Sequence, residues 1–157
     1  TGAGGFYEDP VTGERYLLEA FENPMQAKTA YLANLIYRKI GLSVPEAQLV
    51  SENGKTILAT KELTDVIDVE PQTLRSNREV RDGLLADIFL GNTSVLGTGY
   101  EQIQKTLEGR MFRTNTAGAL TFRPDGTPKL FLADSLRRDG DIFPPLHPAP
   151  TQLVLAK

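Results

Sequence analysis

Polar and apolar residues follow a strand pattern in two segments near the start of the chain. In the first, TGAGGFYEDPVTGERYLLEAF, a turn at residues 10–13 separates a glycine-rich, aromatic run from a second apolar run. In the second, SVPEAQLVSENGKTILATKEL, polar and apolar residues alternate on both sides of Asn53-Gly54. An Asn-Gly pair between such segments is the strongest short signal for a hairpin. We therefore predict two β-hairpins, the second with strands near residues 47–52 and 55–60.

Two longer segments have the period of a helix. Apolar residues recur at helical spacing in NPMQAKTAYLANLIYRKIG, where Asn23 can cap the N-terminus and Gly41 follows the end. The same signals frame NREVRDGLLADIFLG, with Asn77 at its start and Gly91 at its end. The sequence therefore predicts a helix over residues 24–40 and a second one between Asn77 and Gly91.

The rest of the chain contains shorter elements. A polar connector covers residues 64–78, and two short strands are predicted near 103–107 and 110–114, around a Glu-Gly turn. A short helix is predicted over residues 133–138, before a proline-rich end. No segment has the composition of a linker between two folding units. We therefore predict one α+β domain, in which an antiparallel sheet with one packed helix precedes a smaller part that contains the second helix.

Composition and charge exclude several classes of function. The 157 residues include no cysteine and one histidine, His147, which lies among prolines. Thiol catalysis and thiolate metal sites are therefore excluded, and no metal site is predicted. The net charge of −3, with basic residues scattered, argues against a nucleic-acid surface. No apolar run approaches the roughly 20 residues that span a bilayer, so no membrane insertion is expected. Because the chain begins with Thr1, we expect a processed chain or a piece of a longer protein.

Five segments, in order, resemble a known family. They are GGFYED, AKTAYLANLIYRKIGLSVPE, GLLADIFLGNTSVLG, YEQI and RTNTAGAL. Together they are similar to the compact protein-kinase-like fold of HipA-type and phosphatidylinositol-kinase-like bacterial and phage domains. The resemblance implies one kinase-like domain over residues 1–142, with an N-terminal lobe at 1–63 and a shortened C-terminal lobe at 64–142. Residues 143–157 would then form a proline-rich tail.

The catalytic residues that this resemblance implies are altered in the chain. Phosphoryl transfer in such a fold uses a lysine on the phosphates, a helix glutamate that holds the lysine, an aspartate near the attacking hydroxyl, and an asparagine and an aspartate on magnesium. None of the five stands at its expected place. In the same order, the matching positions are Glu19, Ala30, Ser94, Gln102 and Asn115.

Other residues remain candidates for contacts with a nucleotide under the same resemblance. They are Gly2, Gly4, Gly5, Lys61, Leu63, Asn92 and Arg113. Since a carboxylate at Glu19 would repel phosphates, we expect no cofactor, or at most weak binding of ATP and magnesium.

The resulting hypothesis is a catalytically degenerate kinase-like domain, a pseudokinase. We expect it to act in the cytoplasm as a binding or regulatory module of a larger bacterial or phage protein, with a protein partner. Two alternatives stay open. One is an ATP-dependent phosphotransferase or nucleotidyl-type transferase that uses displaced carboxylates such as Asp87, Glu101 or Asp134. The other is a small α+β protein-interaction domain.

Overall fold

Two antiparallel sheets and three helices make up the part of the chain that the computed structural model describes, which is residues 4–92, 95, 102–123 and 125–129. The predicted α+β class is confirmed. The predicted helix at 133–138, the tail at 143–157, Gly2 and Ser94 lie outside the described residues.

The first sheet has four strands and carries one helix. Its elements are β1 (Gly4–Glu8), β2 (Arg15–Ala20), α1 (Pro24–Lys39), β3 (Ala47–Glu52) and β4 (Lys55–Lys61). The strand order is β1-β2-β4-β3, so the second hairpin joins the first through the β2–β4 pair. Helix α1 connects the two hairpins and packs against β3 and β4.

The second sheet has three short strands, of which the first lies within the predicted connector. Its elements in chain order are β5 (Val66–Ile67), α2 (Pro71–Ser76), α3 (Arg78–Leu90), β6 (Ile103–Thr106) and β7 (Met111–Arg113). The strand order is β5-β6-β7. Strand β5 and helix α2 fall within the predicted polar connector and are absent from the sequence prediction. Helix α2 is short, has no side-chain N-cap and buries only Leu74, so Pro71 at its first position is the main signal for it.

The local signals for the predicted helices and the second hairpin are confirmed. Asn23 Oδ1 accepts a hydrogen bond from the Met25 amide at 2.9 Å and caps α1. Asn77 does the same for α3, through the Val80 amide at 3.1 Å. Gly91 ends α3 in the left-handed conformation at φ 59°. Both residues of the Asn53-Gly54 turn have positive φ, as a tight hairpin requires.

The hydrophobic core joins the two parts of the chain. One cluster contains Tyr37 of α1, Leu90 of α3 and Ala119, together with Ala33 and Val44. A second cluster holds the second part together and contains Leu74, Val80, Val95, Ile103 and Met111. Because the first cluster draws on α1, α3 and the segment after β7, it fixes the first sheet relative to the second part.

A buried ion pair lies beside the first cluster. The Arg113 side chain is 0% exposed, and its Nε and Nη2 atoms donate to the two Asp87 carboxylate oxygens at 2.8 and 3.1 Å. Tyr37 Oη donates to the same carboxylate at 2.8 Å. Burial next to Asp87 raises the pKa of Tyr37, so its hydroxyl stays a donor. The pair therefore links β7, α3 and α1 through charge-assisted hydrogen bonds.

Gly83 makes room for this ion pair. It lies inside α3, where glycine is usually unfavourable, and a Cβ atom built on it would overlap the Arg113 guanidinium. Nη2 of that guanidinium also donates to the Val80 carbonyl at 3.1 Å. The missing side chain thus lets Arg113 lie directly against the α3 backbone.

Replacing Gly83 by alanine tests this arrangement. Helix propensity alone would favour alanine by roughly 1 kcal/mol. We expect Gly83→Ala instead to lower the free energy of unfolding by about 3 kcal/mol or more, because it displaces one partner of a buried ion pair. Denaturant unfolding measures this.

Gly5→Ala is the matched control. Apart from its chain neighbours, no atom of the described residues lies within 4 Å of a Cβ built on Gly5, so the stability of this variant should stay within about 1 kcal/mol of the parent. A Gly83→Ala protein as stable as the parent would contradict the packing of Arg113 described above.

Candidate functional site

A cavity of about 250 Å³ lies between the first sheet and the second part of the chain. It brings together five of the residues predicted from sequence: Glu19, Lys61, Leu63, Gln102 and Asn115. The other residues of the lining, which we call the cleft, are Phe6, Leu17, Pro45, Thr60, Glu62, Gln104 and Thr114. The cleft thus has an apolar side and a polar side.

The alternation of β2 directs Glu19 into the cleft. Leu17 and Glu19 lie on the same face of the strand, and Leu18 lies on the opposite face. Leu17 pairs with Phe6 on β1 and with Thr60 on β4, and both of these also line the cleft. Leu18 instead lines a separate cavity with Tyr7 and Tyr16.

The Glu19 carboxylate has no partner among the described residues. It is partly buried, and none of the hydrogen bonds or ion pairs within the described part of the chain involves it. Burial raises the pKa of the Glu19 carboxyl, since no neighbouring cation compensates for the loss of water. The cleft therefore contains one uncompensated negative charge.

The other charged groups at the cleft are paired. Lys61 Nζ forms an ion pair with Glu14, and Arg15 forms one with Glu62 at 2.9 Å. Each pair cancels its own charge. Glu19 therefore sets the net charge of the cleft.

The polar wall of the cleft is fixed by backbone contacts. The Gln102 carbonyl accepts from the Thr114 amide at 2.9 Å and from its hydroxyl at 3.1 Å. Asn115 Oδ1 accepts from the Ala117 amide at 2.8 Å, which holds the turn after β7. The Asn115 carbonyl accepts from Asn92 Nδ2 at 3.0 Å, and the same Nδ2 donates to Tyr37 Oη. The wall is thereby connected to the buried ion pair.

Several predicted site residues lie away from the cleft. Ala30 is 0% exposed on the buried face of α1, and Asn92 is buried behind the wall. Gly4 and Gly5 line a different cavity with Ala20 and Ile57.

The sequence prediction of Arg113 as a nucleotide contact is not compatible with its position. Its side chain is fully buried and its Nε and Nη2 atoms are bonded to Asp87 and Val80, so a ligand in the cleft has no access to it. Arg113 instead acts on the cleft indirectly, by holding β7 in place.

Sequence reasoning missed the residues that complete the cleft. Gln104 is the clearest case, because β6 alternates and places Gln104 on the same face as Gln102, with the buried Ile103 between them. That alternation is visible in the sequence and could have identified it. Phe6 and Thr60 could be identified only from the pairing of their strands with β2.

A larger cavity of about 540 Å³ shares Pro45, Lys61, Glu62 and Leu63 with the lining of the cleft. Its lining mixes bases such as Arg38 and Arg110 with acids such as Glu46 and Asp65. Arg38 lies 3.9 Å from Glu46, and Arg110 donates to the Ser43 hydroxyl at 2.9 Å. No single charge dominates this lining, so it is a weaker candidate for a binding site than the cleft.

Comparisons with protein-family models, with curated proteins and with solved structures find no match for this chain. Within the described residues, no group of three or more His, Cys, Asp or Glu side chains is placed to hold a metal ion. The same residues include no helix with the length and hydropathy needed to cross a membrane.

The raised pKa of Glu19 predicts a dependence of stability on pH. Its carboxyl has a higher pKa in the folded chain than in the unfolded chain. Its contribution to stability therefore falls as the pH rises from the unfolded pKa through the folded pKa. We expect Glu19→Gln to melt a few degrees above the parent at pH 7. The difference should shrink as the pH is lowered towards about 4, the range of an unperturbed Glu.

Glu22→Gln serves as the control, because Glu22 is exposed and does not line the cleft. Thermal melts of the three proteins between pH 4 and pH 7 measure the effect. A Glu19→Gln protein that melts below the parent at pH 7 would show that the carboxylate has a stabilising partner.

Proposed function

We propose that this chain is a kinase-like domain without phosphotransfer activity, which acts as a binding or regulatory module of a larger bacterial or phage protein. The observation that carries the proposal is Glu19. It lies in the cleft at the place where the resemblance calls for a lysine on the nucleotide phosphates. The proposal includes a cytoplasmic location, a protein partner and no bound cofactor.

The topology supports the kinase-like interpretation. Hairpin, helix and hairpin follow each other as the resemblance implies, and the strand with Glu19 lies in the middle of the sheet beside β4. The end of β4 contributes Lys61 to the cleft, and Leu63 follows just after the strand. Gln102 and Asn115, at two of the positions that would hold magnesium, lie across from Glu19 in the same lining.

The charge of the cleft argues against a nucleotide triphosphate. Each phosphate charge about 4 Å from Glu19 would be repelled by roughly 4 kcal/mol at an effective dielectric constant near 20. The bases near the cleft, Lys61 and Arg15, are already paired with carboxylates. Asn115 provides a neutral amide where the resemblance calls for the aspartate on magnesium.

The alternative of displaced catalytic carboxylates loses one of its candidates. Asp87 is 1% exposed and is held by Arg113 and Tyr37, so no substrate can reach it. Glu101 and Asp134 lie outside the described residues. The second alternative is a small interaction domain. It has the same partner-binding role as the proposed module and differs from it only in that the fold is not related to kinases.

Nucleotide binding and turnover test the proposal. Calorimetric titration with ATP and magnesium should show no binding below about 1 mM, and incubation with labelled ATP should show no phosphate transfer. Transfer that persists through repeated purification and is lost on Glu101→Gln would overturn the proposal in favour of the displaced-carboxylate enzyme.

A double-mutant cycle tests whether Glu19 and Ala30 occupy the facing positions of a kinase-like lobe. Ala30→Glu alone puts a charge into the buried face of α1 and should lower the free energy of unfolding by about 3 kcal/mol or more. Glu19→Lys in the same chain should restore at least about 1 kcal/mol of this loss, because the new lysine can pair with the new glutamate.

Glu22→Lys in the Ala30→Glu chain is the control and should restore little, since Glu22 is exposed and outside the cleft. Equal effects of the two lysine substitutions would mean that residues 19 and 30 do not face each other. The assignment of kinase-like roles to these two positions would then be wrong.

A further inference from the structure

The cleft holds several polar groups that the fold itself does not use. Within the described residues, neither the Glu19 carboxylate nor the side-chain amides of Gln102 and Gln104 make a hydrogen bond, and the same is true of the Thr60 hydroxyl. The side-chain oxygens of these four residues are all acceptors. Among these four residues only Glu19 carries a net charge, and that charge is negative.

We propose that the cleft binds a monovalent organic cation, the guanidinium group of an arginine side chain or the ammonium group of a lysine side chain. This inference rests on the proposed function, because it assigns the ligand of the same cleft. The ligand would give the Glu19 carboxylate the partner that the described residues do not supply.

The chemistry of the lining fits such a group. A guanidinium carries five N–H donors in a plane and can pair with a carboxylate through two parallel hydrogen bonds. Its remaining donors can reach the acceptor oxygens of Gln102 and Gln104. The apolar side of the cleft, formed by Phe6 and Leu17, can cover the methylene groups of a long cationic side chain.

The size of the cleft also favours a side chain over a nucleotide. Its volume of about 250 Å³ is below the roughly 300–1,000 Å³ that sites for drug-sized ligands occupy. A nucleotide triphosphate with magnesium is larger than that and strongly negative. A single cationic side chain is smaller and has the opposite charge to Glu19.

A divalent metal ion fits the lining less well than an organic cation. Magnesium is usually held by one or two carboxylates together with substrate phosphates, and calcium by six to eight oxygens. The cleft offers one unpaired carboxylate, and the Asn115 side-chain oxygen is already bonded to the Ala117 amide. The lining therefore offers a metal ion a single unpaired anionic ligand, whereas its side-chain oxygens can all accept hydrogen bonds from N–H donors.

The test compares a charged probe with its neutral isostere. N-acetyl-arginine amide and N-acetyl-citrulline amide have almost the same shape and differ in charge. Titrated into the full 157-residue chain and followed by NMR, the arginine probe should shift the side-chain amide signals of Gln102 and Gln104 and the backbone signal of Glu19. The citrulline probe should bind at least about tenfold more weakly. Equal binding of the two probes would overturn the proposal.

Two variants connect the binding to the carboxylate. Glu19→Gln should weaken binding of the arginine probe about tenfold or more, because it removes the charge and keeps the shape of the side chain. Glu22→Gln should leave binding unchanged. Loss of affinity in both variants, or in neither, would show that the probe binds elsewhere or through non-specific charge attraction.

Two further probes distinguish the source of the cation. A Gly-Ser peptide with one central arginine represents a protein partner, and butylguanidine, which carries the same single charge as the arginine side chain, represents a small free cation. Tighter binding of the peptide indicates a side chain of a partner protein, and tighter binding of butylguanidine indicates a free small molecule; both support the cation. If ATP and the cationic probes both fail to bind, the proposed function stands and this inference falls. If the chain transfers phosphate from ATP, both fall.

Discussion

The buried pair of Asp87 and Arg113 is the interaction on which the arrangement of this chain depends. It joins α3 to β7, and through Tyr37 it reaches α1. Leaving either charge without its partner in the interior would cost several kcal/mol, so the three elements stay in one arrangement. The cleft lies between parts of the chain that this pair holds together, because Asn92 connects Tyr37 to the backbone of Asn115. Buried contacts behind the cleft thus fix the position of its polar wall.

Strong cations in the interior are used for structure. Arg113 serves the ion pair, and Lys129 Nζ donates to the carbonyls of Gly91 and Gly118, at the end of α3 and in the turn after β7. The cleft receives none of this positive charge. A phosphate-binding site needs the reverse distribution, with cations facing the ligand and neutral groups behind them. This contrast adds to the observation on Glu19 that carries the proposed function.

Local signals in the sequence predicted most of the fold. Asn23, Asn77 and Gly91 act on their own neighbours, so the helix ends could be predicted without knowledge of the packing. Helix α2 gave no such signal. Glu19 was assigned to the site through the resemblance, and the alternation of β2 places it there in the structure. Arg113 was misplaced because its position depends on Gly83, which is 30 residues away in sequence; a glycine inside a helical pattern was the one sign of that close approach.

Glu19 connects stability with binding. In the free chain its carboxylate loses water and gains no partner from the residues that the structure describes, so its charged form opposes folding. A cation that binds only the folded chain would remove this cost, and it would also stabilise the fold by mass action as its concentration exceeds its dissociation constant. The same side chain would therefore make the free domain less stable and its complex more stable. A neutral residue at position 19 would reduce both the cost to the stability of the free domain and the affinity for the cation. This joint change is expected of a group that serves binding and not the fold.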